Sequence, residues 1–133
     1  MKNINSMRLV LYFTKDISLK VWDEIGILDR ELAIYKKLIK LGVSISFITY
    51  GQSEDLKYKN KLNGINILCN KWHLNNKFYC KYIHLIHWRF LYNCDIIKTN
   101  QANGSEIAIK AANFWKKPLI GRMGYLWSEF VSK

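Results

Sequence analysis

At 133 residues, half of them apolar and only one a proline, the chain has room for one globular domain with a core of its own. The formal charge of +11 invites a polyanionic partner, whether nucleic acid, anionic lipid headgroups or a phosphorylated substrate. No window approaches the ~18 uninterrupted apolar residues of a membrane span. The first apolar run is bounded by Arg8, Lys15 and Asp16, with no small-residue cleavage site, so it does not read as a leader and the chain is expected in the cytoplasm. Cys69, Cys80 and Cys94 are odd in number and form no C-x-x-C pair, which favours free thiols.

In chain order, MRLVLYFT (Met7 to Thr14) reads as a strand buried on both faces. After a polar stretch, Leu28, Leu32, Tyr35 and Ile39 fall on one stripe of a helix. Asp29 and Glu31 stand in its first turn and Lys36, Lys37 and Lys40 near its end, as the helix dipole prefers, and Gly42 fits just past its C-terminus. VSISFIT (Val43 to Thr49) is a second strand, INILC (Ile65 to Cys69) a third after the Asn63-Gly64 turn, and DIIK (Asp95 to Lys98) a fourth. Ile107, Ala108, Ala111, Ala112 and Trp115 mark a further helix, and PLIG (Pro118 to Gly121) a fifth strand. Strands alternating with helices imply right-handed crossovers and a parallel sheet. The expected fold class is α/β, a Rossmann-like three-layer domain with strand order 3-2-1-4-5 spanning 1–133.

In that order strands one and four lie side by side at a topological switch point, outside whose carboxyl ends open α/β sheets bind ligands. The loops Lys15 to Gly26, Thr99 to Gly104 and Arg122 to Glu129 converge there. No G-x-G-x-x-G and no G-x-x-x-x-G-K-[ST] is present, so dinucleotide and P-loop readings lack their phosphate cradles. Gly26 stands at a helix entry that could receive a phosphate, against the plainer reading of a flexible joint. Asn103 and Glu106 have the spacing of a capping box, whereas Thr99, Asn100 and Gln101 offer a hydroxyl and two amides suited to sugar hydroxyls.

The stretch Lys71 to Asn93 is the most unusual. Tyr79, Ile83, Ile86 and Phe90 form one helical stripe, with Lys77, Lys81, Trp88 and Arg89 on the rest of the surface, a mixture suited to a membrane interface as well as to a core helix with extra aromatics. Cys80, His84 and His87 share a helical face, but without an evident fourth ligand chance clustering is the better account and no metal is expected.

Two segments carry a resemblance, LVLYFTKDISLKVWDEIGILDRELAIYKKLIKLGVSISFITYG and DIIKTNQANGSEIAIKAANFWKKPLIGRMGYLWSEF. Together they resemble the N-terminal, acceptor-side domain of family 4 glycosyltransferases, the retaining type built from two Rossmann-like domains (GT-B). Gly26 falls on the second glycine of that family's Gly-Gly pair, with Ile25 at the first, and Gly42 on the glycine before strand two. Where many relatives carry histidines after strands four and five, this chain has Thr99-Asn100-Gln101 and Arg122-Met123-Gly124. Nothing in it matches the nucleotide-sugar domain or its paired glutamates, so 1–133 is expected to be a truncated domain, inactive alone.

The resemblance implies transfer of a sugar from a nucleotide diphosphate-sugar co-substrate to a polysaccharide or lipid-linked acceptor, without a metal or other cofactor. It implies an acceptor cleft of Thr99, Asn100, Gln101, Arg122, Gly124 and Tyr125, with Gly26 beside the donor phosphates and the catalytic residues unassigned. Implied partners are the acceptor, the missing nucleotide-sugar domain and a peripheral inner-membrane surface. The alternative is a non-catalytic half-domain that grips an acceptor or a membrane. A basic nucleic-acid-binding protein ranks below both, because the cations are spread and no recognised motif appears.

Overall fold

The computed structural model describes residues 7–99 and 105–121. Five strands form one parallel sheet in the order β3-β2-β1-β4-β5, which is the expected α/β, Rossmann-like arrangement. The strands are β1 (Arg8–Tyr12), β2 (Ser44–Ile48), β3 (Ile65–Leu68), β4 (Ile96–Thr99) and β5 (Leu119–Ile120). Helices α1 (Leu19–Glu24) and α2 (Leu28–Lys40) occupy one face, and α3 (Asn76–Ile86), α4 (Trp88–Asn93) and α5 (Ser105–Trp115) the other.

The α1–α2 side of the sheet is closed by aromatics. Phe13 stacks on Trp22 with ring centroids 4.1 Å apart, and Phe47 meets Phe13, Trp22 and Tyr35 at tilted or edge-on angles. In α2 the expected stripe holds for Leu28, Leu32 and Tyr35, which are buried, while Ile39 is only partly so. Gly42, at φ 97°, ends α2 as expected: its amide donates to Ile39 and that of Val43 to Leu38, the paired bonds of a Schellman cap.

Two features depart from the sequence reading. The polar stretch after β1 contains α1, whose six residues bury only Leu19 and Trp22, too few to display a helical period. The stripe expected through Tyr79, Ile83, Ile86 and Phe90 breaks at His87, whose backbone (φ −101°, ψ 34°) ends α3 and begins α4. Leu91 takes the buried place and Phe90 is left exposed. A 390 Å³ groove opens beside α4, lined by Ser44, Ser46, Asn66, Arg8, Arg89 and Phe90 among others.

Helix α1 is held at its start by two acceptors. Ser18 Oγ accepts the Val21 amide at 3.2 Å, an N-cap visible in local sequence. The Leu19 and Lys20 amides donate instead to the carboxylate of Asp55, 3.1 and 3.3 Å away, in the 3₁₀ turn Ser53–Tyr58 between β2 and β3. Thr49 Oγ1 donates a third bond to the same carboxylate at 2.6 Å. Asp55 is wholly buried, and burial pushes its carboxyl above the usual range while the Thr49 hydroxyl and the two amides pull it back. The carboxylate lies against Gly51, where any Cβ would strike it.

Asp55→Ala should cost about 3 kcal/mol in urea unfolding, since it strands two helix amides and a buried hydroxyl. Gly51→Ala should destabilise the wild-type protein clearly more than it destabilises Asp55→Ala; equal costs in both backgrounds would show that the carboxylate is not what constrains residue 51.

Candidate functional site

The carboxyl ends of β1 and β4 meet as the switch-point geometry requires: Tyr12 is the register partner of Thr99. Register partners in a parallel pair project to the same face, here the one covered by α3, α4 and α5. Thr99, the one described member of the expected acceptor cleft, is buried at the end of β4. Asn100, Gln101, Arg122, Gly124 and Tyr125 lie outside the described residues, as does Asn103 of the expected capping box, whereas Glu106 stands in the first turn of α5.

Three tyrosines gather at this rim. Tyr12 ends β1, Tyr50 follows β2, and Tyr79 rises from α3 with its ring edge-on to Tyr50 at 6.1 Å. Tyr79 is fully engaged: its hydroxyl donates to the Thr49 carbonyl at 2.8 Å and lies 2.9 Å from His87 Nε2. A phenol has one proton to give, so the His87 ring donates to Tyr79 from Nε2. The hydroxyls of Tyr12 and Tyr50, by contrast, are buried and have no hydrogen-bond partner among the described residues. Burial raises both phenols far above their usual range, with Tyr50 and Cys94 adding to the effect at Tyr12, and Cys80, Asp16 and Glu106 at Tyr50. They therefore stay protonated and can act as hydrogen-bond donors, not as bases.

An unpaired buried hydroxyl costs free energy that a ligand oxygen would recover. Two of them lie at the carboxyl-end rim of the sheet, at and beside the β1–β4 switch point. Sequence reading passed over both, although each closes or follows an apolar run at the carboxyl end of a strand, where ligands of such sheets bind. Asp16 borders the same rim from the β1–α1 loop, in the left-handed region at φ 68°, and its carboxylate accepts from Asn76 Nδ2 at 3.0 Å at the start of α3.

Gly26 has a local explanation. At φ 81° it caps α1, its amide donating to Asp23 and that of Ile27 to Trp22. Its own N–H is thus engaged, and a Cβ placed there would meet nothing within 4 Å. At the start of α2, Asp29 and Glu31 already occupy the positive end of the dipole, and Asp29 pairs with Lys61 at 2.9 Å.

Cys80, His84 and His87 do not converge. His87 turns to Tyr79, the His84 ring meets Phe114 edge-on at 5.0 Å, and Cys80 Sγ faces Asn76 Oδ1 at 3.9 Å. Among the described residues no group of three His, Cys, Asp or Glu side chains could hold a metal ion. Lys77, Lys81, Trp88 and Arg89 are all exposed on α3 and α4. None of the described helices is long and apolar enough to cross a membrane.

No family model, no curated protein and no solved structure matches the chain.

Two outcomes follow. Tyr12→Phe and Tyr50→Phe should leave the stability of the free protein unchanged or raise it by up to about 1 kcal/mol, since each removes an unpaired buried hydroxyl. Tyr79→Phe should lower it, because it breaks the bonds to Thr49 and His87. The second outcome concerns acid. Burial, with Lys71 nearby, lowers His87 from an ordinary 6.5 to about 4. The unfolded chain then binds this proton first, so the stability due to His87 is present above pH 6.5 and is lost as pH falls toward 4. The loss amounts to about 3 kcal/mol and should disappear in His87→Gln, measured as the difference in Tm between neutral and acid buffers.

Proposed function

We propose that the chain is the acceptor-side half of a retaining, nucleotide-sugar-dependent glycosyltransferase, acting on a polysaccharide or lipid-linked acceptor. The observation that carries this reading is the pair of buried hydroxyls, Tyr12 and Tyr50, that have no partner among the described residues at and beside the β1–β4 switch point. The likeness of the two sequence segments to family 4 transferases supplies the reaction.

In this reading the acceptor's hydroxyl groups take hydrogen bonds from Tyr12 and Tyr50, with Thr99 beside Tyr12 at the end of β4. The amides of Asn100 and Gln101 follow β4 and the residues Arg122, Gly124 and Tyr125 follow β5, and together they complete the acceptor side. Fixing a sugar in this way contributes orientation: the attacking hydroxyl is presented to the anomeric carbon of the donor without a search. Both phenols stay protonated, so neither removes the proton of the attacking hydroxyl. The departing nucleoside diphosphate is stabilised by cations and helix amides of the nucleotide-sugar domain, which this reading places in a partner or an adjoining segment. Gly26 enters as the turn between α1 and α2 rather than as a phosphate-binding amide. No metal is assigned a role.

The test is sugar transfer from a panel of labelled nucleotide diphosphate-sugars by this chain supplied, fused or as a separate polypeptide, with a nucleotide-sugar-binding domain. Tyr12→Phe and Tyr50→Phe should each lower kcat/KM about tenfold, as the loss of one hydrogen bond to a bound sugar predicts, with Gln101→Ala and Arg122→Ala also impaired. Wild-type turnover in all four variants sinks the site. Robust transfer by residues 1–133 alone refutes the half-enzyme reading.

A further inference from the structure

Between Asp55 and Asp95 the chain contains no acidic residue and seven lysines or arginines. This span includes β3, α3 and α4, so those elements contribute cations and no carboxylate to the surface. The same span exposes its aromatics. Trp72, Phe78 and Trp88 are each about half exposed, Tyr92 more so, and Leu85 and Phe90 are also uncovered. Monomeric proteins bury most such rings, so a set of this kind on one pair of short helices calls for a partner.

Cations and rings are paired here. Lys71 lies over Trp72 at 5.2 Å, Lys81 over Tyr82 at 5.5 Å and Arg89 over Trp88 at 5.9 Å. Helix α3 shows Lys77, Phe78, Lys81 and Leu85 on one side and buries Tyr79 and Ile83 on the other. The break at His87 carries the surface on into α4, and Trp72 joins it there, its ring 6.1 Å from that of His87. A 360 Å³ groove beside this junction is lined by Lys71, Trp72, Trp88, Arg89 and Phe90, with Leu56 at its edge.

A protein partner would be expected to meet a smooth apolar patch with charge kept to the rim. Here Trp72, Tyr82 and Trp88 each have a cation against the ring, so charge runs through the patch rather than around it. That distribution matches the headgroup layer of an anionic bilayer, where aromatic rings sit at the boundary and long basic side chains reach phosphates above it.

We propose that the α3–α4 surface, with Lys71 and Trp72, docks on an anionic lipid membrane. Trp72, Phe78 and Trp88 enter the headgroup region, and Lys71, Lys77, Lys81 and Arg89 contact lipid phosphates. The bond from Asn76 to Asp16 ties the start of α3 to the rim loop after β1, so docking sets the switch-point rim beside the bilayer. The proposal is independent of the sugar-transfer reading and can fail or stand without it.

The experiment is flotation of the protein with vesicles of phosphatidylcholine alone or of an equal mixture with phosphatidylglycerol. Binding is expected to the mixed vesicles and to fall with added salt. The triple variant Lys77→Ala, Lys81→Ala, Arg89→Ala should bind roughly 100-fold more weakly, at about 1 kcal/mol per charge. An equal loss of charge from the opposite layer, Lys36→Ala, Lys37→Ala, Lys40→Ala, should weaken binding by less than about threefold. Brominated phosphatidylcholine in the mixed vesicles should quench tryptophan emission in the wild type and much less in Trp72→Ser, Trp88→Ser. Circular dichroism of each variant checks that it remains folded.

The proposal is overturned by indifference to phosphatidylglycerol, or by equal losses in the two triple variants, which would make the attraction a matter of net charge. Absence of quenching overturns it too. So does duplex DNA that binds through Lys77, Lys81 and Arg89 while vesicles do not.

Discussion

A single buried carboxylate organises the carboxyl rim of the sheet. Asp55 gathers the first two amides of α1 and the hydroxyl of Thr49, so the loop after β1 and the loop after β2 are joined through one side chain. A second bond between the same two regions, from the Tyr58 hydroxyl to Asp23 at 2.9 Å, lies at the surface. Gly51 is a glycine because the carboxylate occupies the space its side chain would need. With α1 fixed, Trp22 can stack on Phe13, and the aromatic layer against β1 and β2 closes. The tyrosine rim on the other face inherits its rigidity from the same point, because Thr49, which bonds Asp55 through its side chain, accepts from Tyr79 through its carbonyl.

Much of this architecture was legible from periodicity. The four apolar runs, the amphipathic α2 with its charges sorted by the dipole, and Gly42 at its end are local signals, and the alternation of strand and helix carries the parallel order with it. What escaped had a long-range cause. Helix α1 owes its start to an acceptor 36 residues downstream, which no window of local sequence contains. The division at His87 follows from a buried imidazole turned toward Tyr79, and a helical wheel drawn across it puts Phe90 inside in error. Of the expected acceptor cleft, only Thr99 falls among the described residues. Thr99 could be placed by topology, whereas the vacant hydrogen-bonding capacity of Tyr12 and Tyr50 shows only once their surroundings are known.

The two faces of the sheet thus have different chemical characters. Toward α1 and α2 the contacts are rings against rings, with Lys98 reaching Tyr35 through both its ring and its hydroxyl, 3.1 Å away. Toward α3 and α5 polar atoms persist inside: Thr99, His87, Tyr79 and the two unpaired phenols. Keeping such groups in an interior lowers the stability that an all-apolar layer would supply. Asp55 and Thr49 are also buried on the α1 side, but they bond one another and the α1 amides, so the phenols unpaired among the described residues are what set the α3 side apart.

The central position of β1 has a consequence during synthesis. β1 pairs with β2 on one side and β4 on the other, and Leu9 meets Ile96 only after most of the chain has been made. At roughly 5–20 residues per second on the ribosome, an apolar strand spends seconds with one bare hydrogen-bonding edge. An edge of that kind recruits other strands. The strand that ends in Tyr12 is therefore the nascent chain's chief point of vulnerability, and β4, which ends in Thr99, is the segment that protects it.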